Sequence, residues 1–311
     1  KRMLNLIDKA SETGCDAIKI QTYTPDSLTI DCDSPDFQIK EGLWAGKTLY
    51  KLYQEAHTPL EWHPAIFDRA KKNNLTIFSS PFDEQCVDFL EQLNVPAYKV
   101  ASFEITDLPL IAHIAKKGKP IIMSTGMASL SDIETAVNVA RQYGCSEIAL
   151  LHCISSYPAP IADANVAIVP HLAKTFGTVS GLSDHTLENT AAITSVALGG
   201  SIIEKHMTIS RSEGGPDAEF SLEPNEFKSL VKSARDTWKA VGYVGYSLKN
   251  SEKSNANYRR SLYVIRDVKK GEEFTELNIK SIRPGFGLEP AYKADVMNSI
   301  ATRKKPIGMG A

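Results

Sequence analysis

The sequence alternates short apolar segments of strand type with segments of helical length, and this alternation constrains the fold more than any other feature. We predict seven strands, near residues 18, 77, 99, 121, 149, 180 and 203, separated by helices. The last unit, Val179–His206, shows the pattern most clearly, because two apolar strands flank the Ala- and Val-rich segment Leu187–Gly200. Strands that alternate with helices at short spacing form a parallel sheet.

A (β/α)8 barrel needs eight strands. Because the chain begins inside a predicted helix, Lys1–Thr13, we expect the eighth strand to come first and to precede the sequence given. The predicted fold class is therefore α/β, a (β/α)8 TIM barrel apparently lacking its first strand. A doubly wound open sheet competes with this fold, but no GxGxxG turn follows any of the strands.

The composition changes after the barrel. We assign residues 1–243 to the barrel domain, 244–257 to a polar linker and 258–311 to a small β-rich domain with short strands at Arg259–Val264 and Ile279–Ile282. A module of this size can be a lid over the barrel mouth, a dimerisation element or an independent binding domain.

Two histidines follow neighbouring strands at equivalent positions. His185 follows the strand Val179–Leu182, and His206 follows Ser201–Glu204. Because parallel neighbours end on the same side of a sheet, the two imidazoles could lie side by side and hold a divalent metal. Glu204 shares a face of the extended chain with His206, and Lys205 points the opposite way.

Polar side chains also lie at the carboxyl ends of nearly all the remaining predicted strands. In a TIM barrel the carboxyl ends of the strands carry the chemistry. Lys19 and Lys99 converge there with several hydroxyl groups, which favours an anion site, most simply for phosphate.

Charge and hydropathy exclude other classes of partner. The net charge of −2 gives no electrostatic footprint for nucleic acid or an anionic membrane. No apolar run approaches the ~20 residues of a membrane span, and no signal peptide is evident. The five scattered cysteines favour reduced thiols and a cytoplasmic location.

At this point the motifs identify a known family. The barrel resembles the sialic acid synthase family, which condenses phosphoenolpyruvate with an amino sugar. The motifs that carry the resemblance are Ser79–Asp83, Tyr98–Glu104, Ser124–Met127, Gly181–Thr186, Glu204–His206, Gly215–Asp217 and Ser221–Pro224. Tyr258–Leu262 and Arg283–Gly285 resemble the family's C-terminal antifreeze-like (SAF) domain. Three further segments look most like the branch that makes pseudaminic acid: Trp44–Tyr50, His57–His63 and Gly214–Phe220.

The resemblance implies an EC 2.5.1-type transferase that joins phosphoenolpyruvate to an N-acetylated amino sugar, giving a nine-carbon 2-keto acid and phosphate. It implies His185 and His206 as ligands of manganese, with magnesium or cobalt as alternatives, and His185, His206, Glu204 and Lys99 as catalytic residues. The implied phosphoenolpyruvate site is Lys19, Ser80, Lys99, Ser102, Ser124, Ser155 and Ser183. The implied sugar site is Gln21, Glu104, Tyr157, Asp217 and Arg283. Arg283 would come from the partner subunit of a domain-swapped homodimer.

Three alternatives stay open at this point. One is an N-acetylneuraminate synthase, which differs in the amino sugar. Another is a Schiff-base aldolase with Lys99 or Lys205 as the nucleophile. The last is a non-catalytic carbohydrate-binding protein that uses the C-terminal module.

Overall fold

The computed structural model of the protein describes residues 1–310. The chain forms two compact units, Lys1–Gly242 and a smaller one from Tyr243 onward. No helix in the described part of the chain combines the length and the apolar character that a membrane crossing requires.

The first unit is built on seven parallel strands that hydrogen-bond in chain order. They are β1 (Ala17–Thr22), β2 (Thr76–Pro81), β3 (Tyr98–Val100), β4 (Ile121–Ser124), β5 (Ile148–Cys153), β6 (Val179–Asp184) and β7 (Ile202–Lys205). Consecutive order without reversal is barrel topology, whereas a doubly wound sheet changes direction partway. The prediction of seven parallel strands is therefore confirmed, and the eighth strand stays a prediction.

Helices occupy the connections between the strands. They are α1 (Arg2–Thr13), α2 (Pro25–Leu28), α3 (Leu49–Ala56), α4 (His63–Lys72), α5 (Glu84–Gln92), α6 (Leu108–Ala115), α7 (Leu130–Gln142), α8 (Ile168–Phe176), α9 (Thr190–Ala197) and α10 (Pro224–Val241). Ser129 and Asp132 form a capping box at the start of α7.

The sheet is strongly curled, as one contact shows. Lys19 on β1 and Glu204 on β7 lie on the first and last strands, yet their side chains are 2.6 Å apart. In a flat sheet six inter-strand spacings of ~4.8 Å would separate the two strands by about 29 Å. The edges of the sheet therefore approach each other, and the carboxyl ends of all the strands surround one mouth.

A cavity lies between β1 and β7, the first and last strands of the sheet, which do not hydrogen-bond to each other. Its volume is about 750 Å³, and apolar side chains of α1 and α10 form part of its wall. At the mouth of the sheet it reaches Lys19, Glu204, His206 and Asp217.

The main core fills the space between the sheet and the helices on the far side from this cavity. Tyr98, Ile121 and Leu150 are fully buried on β3, β4 and β5, and α6 and α7 cover them through residues such as Ile111 and Ala136. Burial of such side chains contributes roughly 1.5–3 kcal/mol each. Apart from Lys99 and the polar residues at their carboxyl ends, these strands are mostly apolar on both faces, as parallel strands covered by helices should be.

One predicted helix is shorter in the structure. The helix predicted over Leu187–Gly200 covers only Thr190–Ala197, because the preceding loop folds around the Lys205 side chain. Helix α8 begins at Ile168. Asn165 has a φ of 38°, outside the right-handed helical region.

The second unit contains two antiparallel strands, β8 (Ser261–Val264) and β9 (Ile279–Ile282), and a short helix α11 (Lys293–Val296). Leu262, Val264 and Ile279 bury against Val268 and Phe274 to form a small separate core. Its antifreeze-like character stays a prediction.

Candidate active site

The centre of the barrel mouth is a cluster of opposite charges. Glu204 on β7 contacts Lys19 Nζ on β1 at 2.6 Å and Lys99 Nζ on β3 at 3.9 Å. Lys99 is 1% exposed, and it donates to Ser124 Oγ at 2.7 Å and to the carbonyl of Val100 at 2.9 Å. The strands thus bring both predicted ammonium groups to the same point.

The two lysines and the carboxylate shift one another's pKa. Burial would raise the pKa of Glu204, but Lys19 and Lys99 outweigh it and lower that pKa to about 2. Burial, together with the neighbouring Lys19, lowers the pKa of Lys99 to about 8. Glu204 is therefore an anion at neutral pH, and Lys99 gains or loses its proton close to neutral pH.

The predicted serines lie around this cluster. Ser183 Oγ is 3.4 Å from Glu204 Oε1, and Ser102 Oγ accepts from the amide of Gly126 at 3.1 Å. A Cβ at Gly126 would overlap Ser155 Oγ, so Ser155 packs directly on the same turn. Ser80 Oγ is buried without a hydrogen-bond partner. A buried hydroxyl without a partner is costly, and a bound polar ligand would satisfy it.

The two histidines lie side by side, with ring centroids 5.4 Å apart. His185 Nδ1 is 2.9 Å from the carbonyl of Ile154, which makes it the protonated nitrogen and leaves the Nε2 lone pair for a ligand. Asp217 Oδ2 is 3.5 Å from His206 Nδ1.

The imidazoles of His185 and His206 could provide two ligands for a divalent cation. In residues 1–310 no group of three or more His, Cys, Asp or Glu side chains is arranged to hold a metal ion. Burial, together with the positive charge of Lys19, lowers the pKa of His206 to about 3, so its imidazole is the neutral form that metals bind. Two imidazoles are an incomplete ligand set, so substrate and water would have to supply the remaining ligands of such a cation.

Aromatic rings enclose the histidines on the outer side. The centroid of the Tyr157 ring lies 4.4 Å from that of His185 and 5.1 Å from that of Phe220. The centroids of Phe220 and His206 are 5.0 Å apart. Trp44, from the long loop after β1, lies 6.0 Å from Tyr157, and its Nε1 donates to the carbonyl of Pro216 at 3.0 Å. The rings form a wall that joins two loops across the mouth.

Two carboxyl groups near this wall have a pKa that burial raises. Burial raises the pKa of Glu104 to about 7, and its Oε2 is buried without a partner. Burial also raises the pKa of Asp217. Gln21 lines the cavity beside Lys19. Of the predicted sugar residues, Tyr157 and Asp217 lie against the histidine pair, and Gln21 lines the cavity that reaches His206.

Two other predicted residues are described separately. Lys205, the alternative nucleophile, is bound to Asp184 at 2.6 Å and buried. Arg283 follows β9 in the second unit, and its predicted role in the sugar site stays a prediction.

Sequence reasoning assigned no role in the site to Cys153, Trp44 or Phe220. Cys153 ends β5, and its Sγ lies 3.8 Å from both His185 Nδ1 and Ser155 Oγ. Burial would raise the pKa of Cys153, but the contact with His185 lowers it to about 7. Its position at a strand end is the signal that could have found it. Trp44 and Phe220 come from loops, whose course no periodicity predicts.

The fold and this rim define the class of α/β barrel enzymes, whose chemistry lies where the strands end. The chain is 43% identical to the pseudaminic acid synthase of Helicobacter pylori over 94% of this chain and 86% of that protein. It is 41% identical to the pseudaminic acid synthase of Campylobacter jejuni over 98% and 89%. It also resembles the crystal structure of the N-acetylneuraminic acid synthetase from Leptospira borgpetersenii, with a TM-score of 0.73, 30% identity and coverage of 82% and 84%.

The pattern of the NeuB family matches residues 6–246. The chain belongs to the NeuB family, so the predicted membership of the sialic acid synthase family is confirmed.

Proposed function

We propose that the protein is a pseudaminic acid synthase, which joins phosphoenolpyruvate to a 6-deoxy diacetamido sugar and releases phosphate. The observation that carries the proposal is the meeting of Lys19, Lys99, His185 and His206 at one rim. The 41–43% identity to two pseudaminic acid synthases supports the choice of sugar.

Lys19 and Lys99 would bind the phosphate and carboxylate of phosphoenolpyruvate. Ser124 and the partnerless Ser80 would donate further hydrogen bonds to these oxygens. Two ammonium groups in a site shielded from water stabilise the charge that builds up on the departing phosphate, typically by a few kcal/mol. When phosphate binds, Lys19 exchanges its contact with Glu204 for one with the ligand.

His185 and His206 would hold a divalent metal, for which manganese is our proposal. When bound there, the metal supplies Lewis acidity to the aldehyde oxygen of the sugar. Glu104 and Asp217, both with a raised pKa, would hydrogen-bond the sugar's hydroxyl and amide groups. Tyr157 and Trp44 would cover the apolar side of the sugar and exclude water.

Carbon 3 of phosphoenolpyruvate would then attack the aldehyde carbon and form the new C–C bond. The aldehyde oxygen takes a proton, and water adds to carbon 2, losing a proton. The bond between carbon 2 and the bridging oxygen of the phosphate group then breaks, which releases phosphate. Carbon 2 becomes the carbonyl carbon of the 2-keto acid. Glu204 is the candidate acceptor of the proton from water once phosphate has drawn Lys19 away, because the two ammonium groups that lower its pKa to about 2 make it a weak base while they contact it.

The decisive experiment measures phosphate release from phosphoenolpyruvate with a panel of amino sugars. We expect the 6-deoxy diacetamido sugar to be preferred over N-acetylmannosamine, chelation to abolish turnover, and Mn²⁺ to restore it. Preference for N-acetylmannosamine would instead assign N-acetylneuraminate synthesis. Borohydride trapping of a keto acid on Lys99 would assign a Schiff-base aldolase. Binding of sugars without phosphate release would assign a carbohydrate-binding protein.

We also propose a homodimer in which Arg283 serves the partner's sugar site, as the family resemblance implies. Mixing an Arg283→Ala subunit with a His206→Ala subunit tests this, because only an exchanged Arg283 lets one intact site form and restores activity.

We further propose a cytoplasmic location. All five cysteines are free thiols, which is the state that the reducing cytoplasm maintains.

A further inference from the structure

An ion pair lies directly behind the two histidines. Asp184 and Lys205, which precede His185 and His206, are partners in the β6–β7 register. Lys205 Nζ lies 2.6 Å from Asp184 Oδ2, and both side chains are only 1% exposed. This pair is separate from the Lys19–Glu204 contact at the mouth.

Lys205 also binds the loop that follows β6. Its Nζ donates to the carbonyl oxygens of Thr186 at 2.6 Å and Glu188 at 3.1 Å, while Asp184 Oδ1 accepts from the amide of Thr186 at 2.9 Å. With the contact to Asp184, all three protons of the ammonium group have acceptors. Lys205 therefore has a positional role and no free electron pair for nucleophilic attack.

These bonds fix His185 on both sides. Asp184 and Thr186, its neighbours in the chain, are tied to Lys205, which itself precedes His206. The carbonyl of His185 accepts from the amide of Ala159 at 2.9 Å, and its ring is held by Ile154. One ammonium group thus determines how far apart the two imidazoles lie.

We infer that Asp184 and Lys205 are positioning residues that set the affinity of the histidine pair for a divalent metal, an inference that rests on the proposed function. A metal–imidazole bond is only ~2.1 Å long, so a small shift of His185 relative to His206 removes one ligand. A buried ion pair adds little to stability beyond what apolar residues could supply. Its effect here is on the geometry of the two rings.

The test is the double variant Asp184→Asn/Lys205→Met, which removes the ion pair without leaving a buried charge. Three quantities are measured: the Kd for Mn²⁺ from the electron paramagnetic resonance of the free ion, the Kd for phosphoenolpyruvate without metal, and the Tm. We expect Mn²⁺ to bind roughly 10- to 100-fold more weakly, as for other residues that orient metal ligands. The affinity for phosphoenolpyruvate should stay within about twofold, since Lys19, Lys99 and Ser124 are untouched.

The exposed i,i+4 pair Lys232–Asp236 on α10 provides the matched control. The variant Lys232→Met/Asp236→Asn should leave all three quantities unchanged. The single variant Asp184→Asn, equal in size to the original residue, gives the same comparison if the double variant does not fold. It should weaken Mn²⁺ binding in the same direction.

A folded variant that binds Mn²⁺ as tightly as the unaltered protein, with only its Tm lowered, overturns the positioning role and leaves the proposed function intact. An unaltered protein that turns over substrates but binds no Mn²⁺ overturns the positioning role as well. Failure of the unaltered protein to release phosphate is a separate result and contradicts the proposed function itself.

Discussion

At the residue scale, the mouth of the barrel is organised by Glu204. This carboxylate lies between Lys19 and Lys99, the two groups that we propose for phosphate, so the protein without ligand neutralises its own anion site. Without Glu204, the ammonium groups of Lys19 and Lys99 would repel each other at the barrel mouth, where little water is present to screen their charges. The carboxylate therefore keeps both lysines in position before the substrate arrives.

Lys99 gives the first prediction. Because burial and Lys19 lower its pKa to about 8, Lys99 loses its charge as the pH rises through that value. We expect kcat/KM for phosphoenolpyruvate to fall above about pH 8, approaching tenfold per pH unit, since this ratio reports the free enzyme. Steady-state rates from about pH 6 to 10 measure the effect. Lys99→Arg should move the fall to higher pH, and an unaltered profile in that variant would assign it to another group.

Trp44 gives the second prediction, which concerns the sugar. Trp44→Ala removes both the ring beside Tyr157 and the hydrogen bond to Pro216. Loss of a half-buried aromatic contact at a binding site typically costs ~1–3 kcal/mol, so we expect KM for the amino sugar to rise about tenfold or more. KM for phosphoenolpyruvate should not change.

The variant Trp44→Phe is the control, because it keeps an aromatic face and loses only the indole donor. Its KM for the sugar should lie between those of the other two proteins. Equal changes in both Michaelis constants of Trp44→Ala would argue against a sugar-specific role and for a general effect of the loop.

At the scale of elements, the turns after the strands determine where the serines lie. Gly126, after β4, packs so closely that a Cβ would overlap Ser155 Oγ and lie 2.8 Å from Ser102 Oγ. The absence of a side chain at Gly126 therefore lets the turns after β3, β4 and β5 meet.

The third prediction follows from this packing. Gly126→Ala should displace Ser102 and Ser155 and weaken phosphoenolpyruvate binding by about tenfold or more, while the Kd for Mn²⁺ at the histidines stays the same. Binding titrations with each ligand separate the two effects. A variant with unchanged phosphoenolpyruvate affinity would show that these serines do not contact that substrate.

The elements also show how far sequence reasoning reaches. Strand order and the meeting of His185 with His206 follow from periodicity and from the geometry of parallel strands, and both were predictable. The wall formed by Trp44 and Phe220 depends on how long loops fold, which local patterns do not encode. The shortened helix α9 has the same cause, since the Lys205 contacts that hold its preceding loop join residues 17 and 19 positions apart.

At the scale of the whole molecule, the first unit contains a buried polar network behind the sheet. His63 is fully buried, with Nε2 2.8 Å from Thr22 Oγ1, which is itself 2.6 Å from Ser79 Oγ. This network joins α4 to β1 and β2. Burial lowers the pKa of His63.

The fourth prediction concerns stability in acid. Since the folded protein holds the pKa of His63 below the ~6.5 of an unfolded chain, the unfolded state binds more protons as the pH falls below that value. His63 therefore stabilises the fold less as the pH drops from about 6.5 toward its lowered pKa, at most ~1.4 kcal/mol per pH unit. Urea unfolding between about pH 7.5 and 5 should show a smaller pH dependence for His63→Asn.

The exposed His171 on α8 provides the control for that experiment. His171→Asn should retain the full pH dependence of the unaltered protein. If His63→Asn retains it too, other buried groups such as His152, whose pKa is also lowered by burial, account for the loss of stability in acid.

The contact between Lys19 and Glu204 has a mechanical consequence. This ion pair joins the first and last strands of the curled sheet, and its lysine is the one that we propose binds phosphate. If Lys19 binds phosphate as we propose, docking of phosphoenolpyruvate would break the contact with Glu204, and departure of phosphate would restore it. Each turnover would then open and close the ion pair that joins the first and last strands of the sheet.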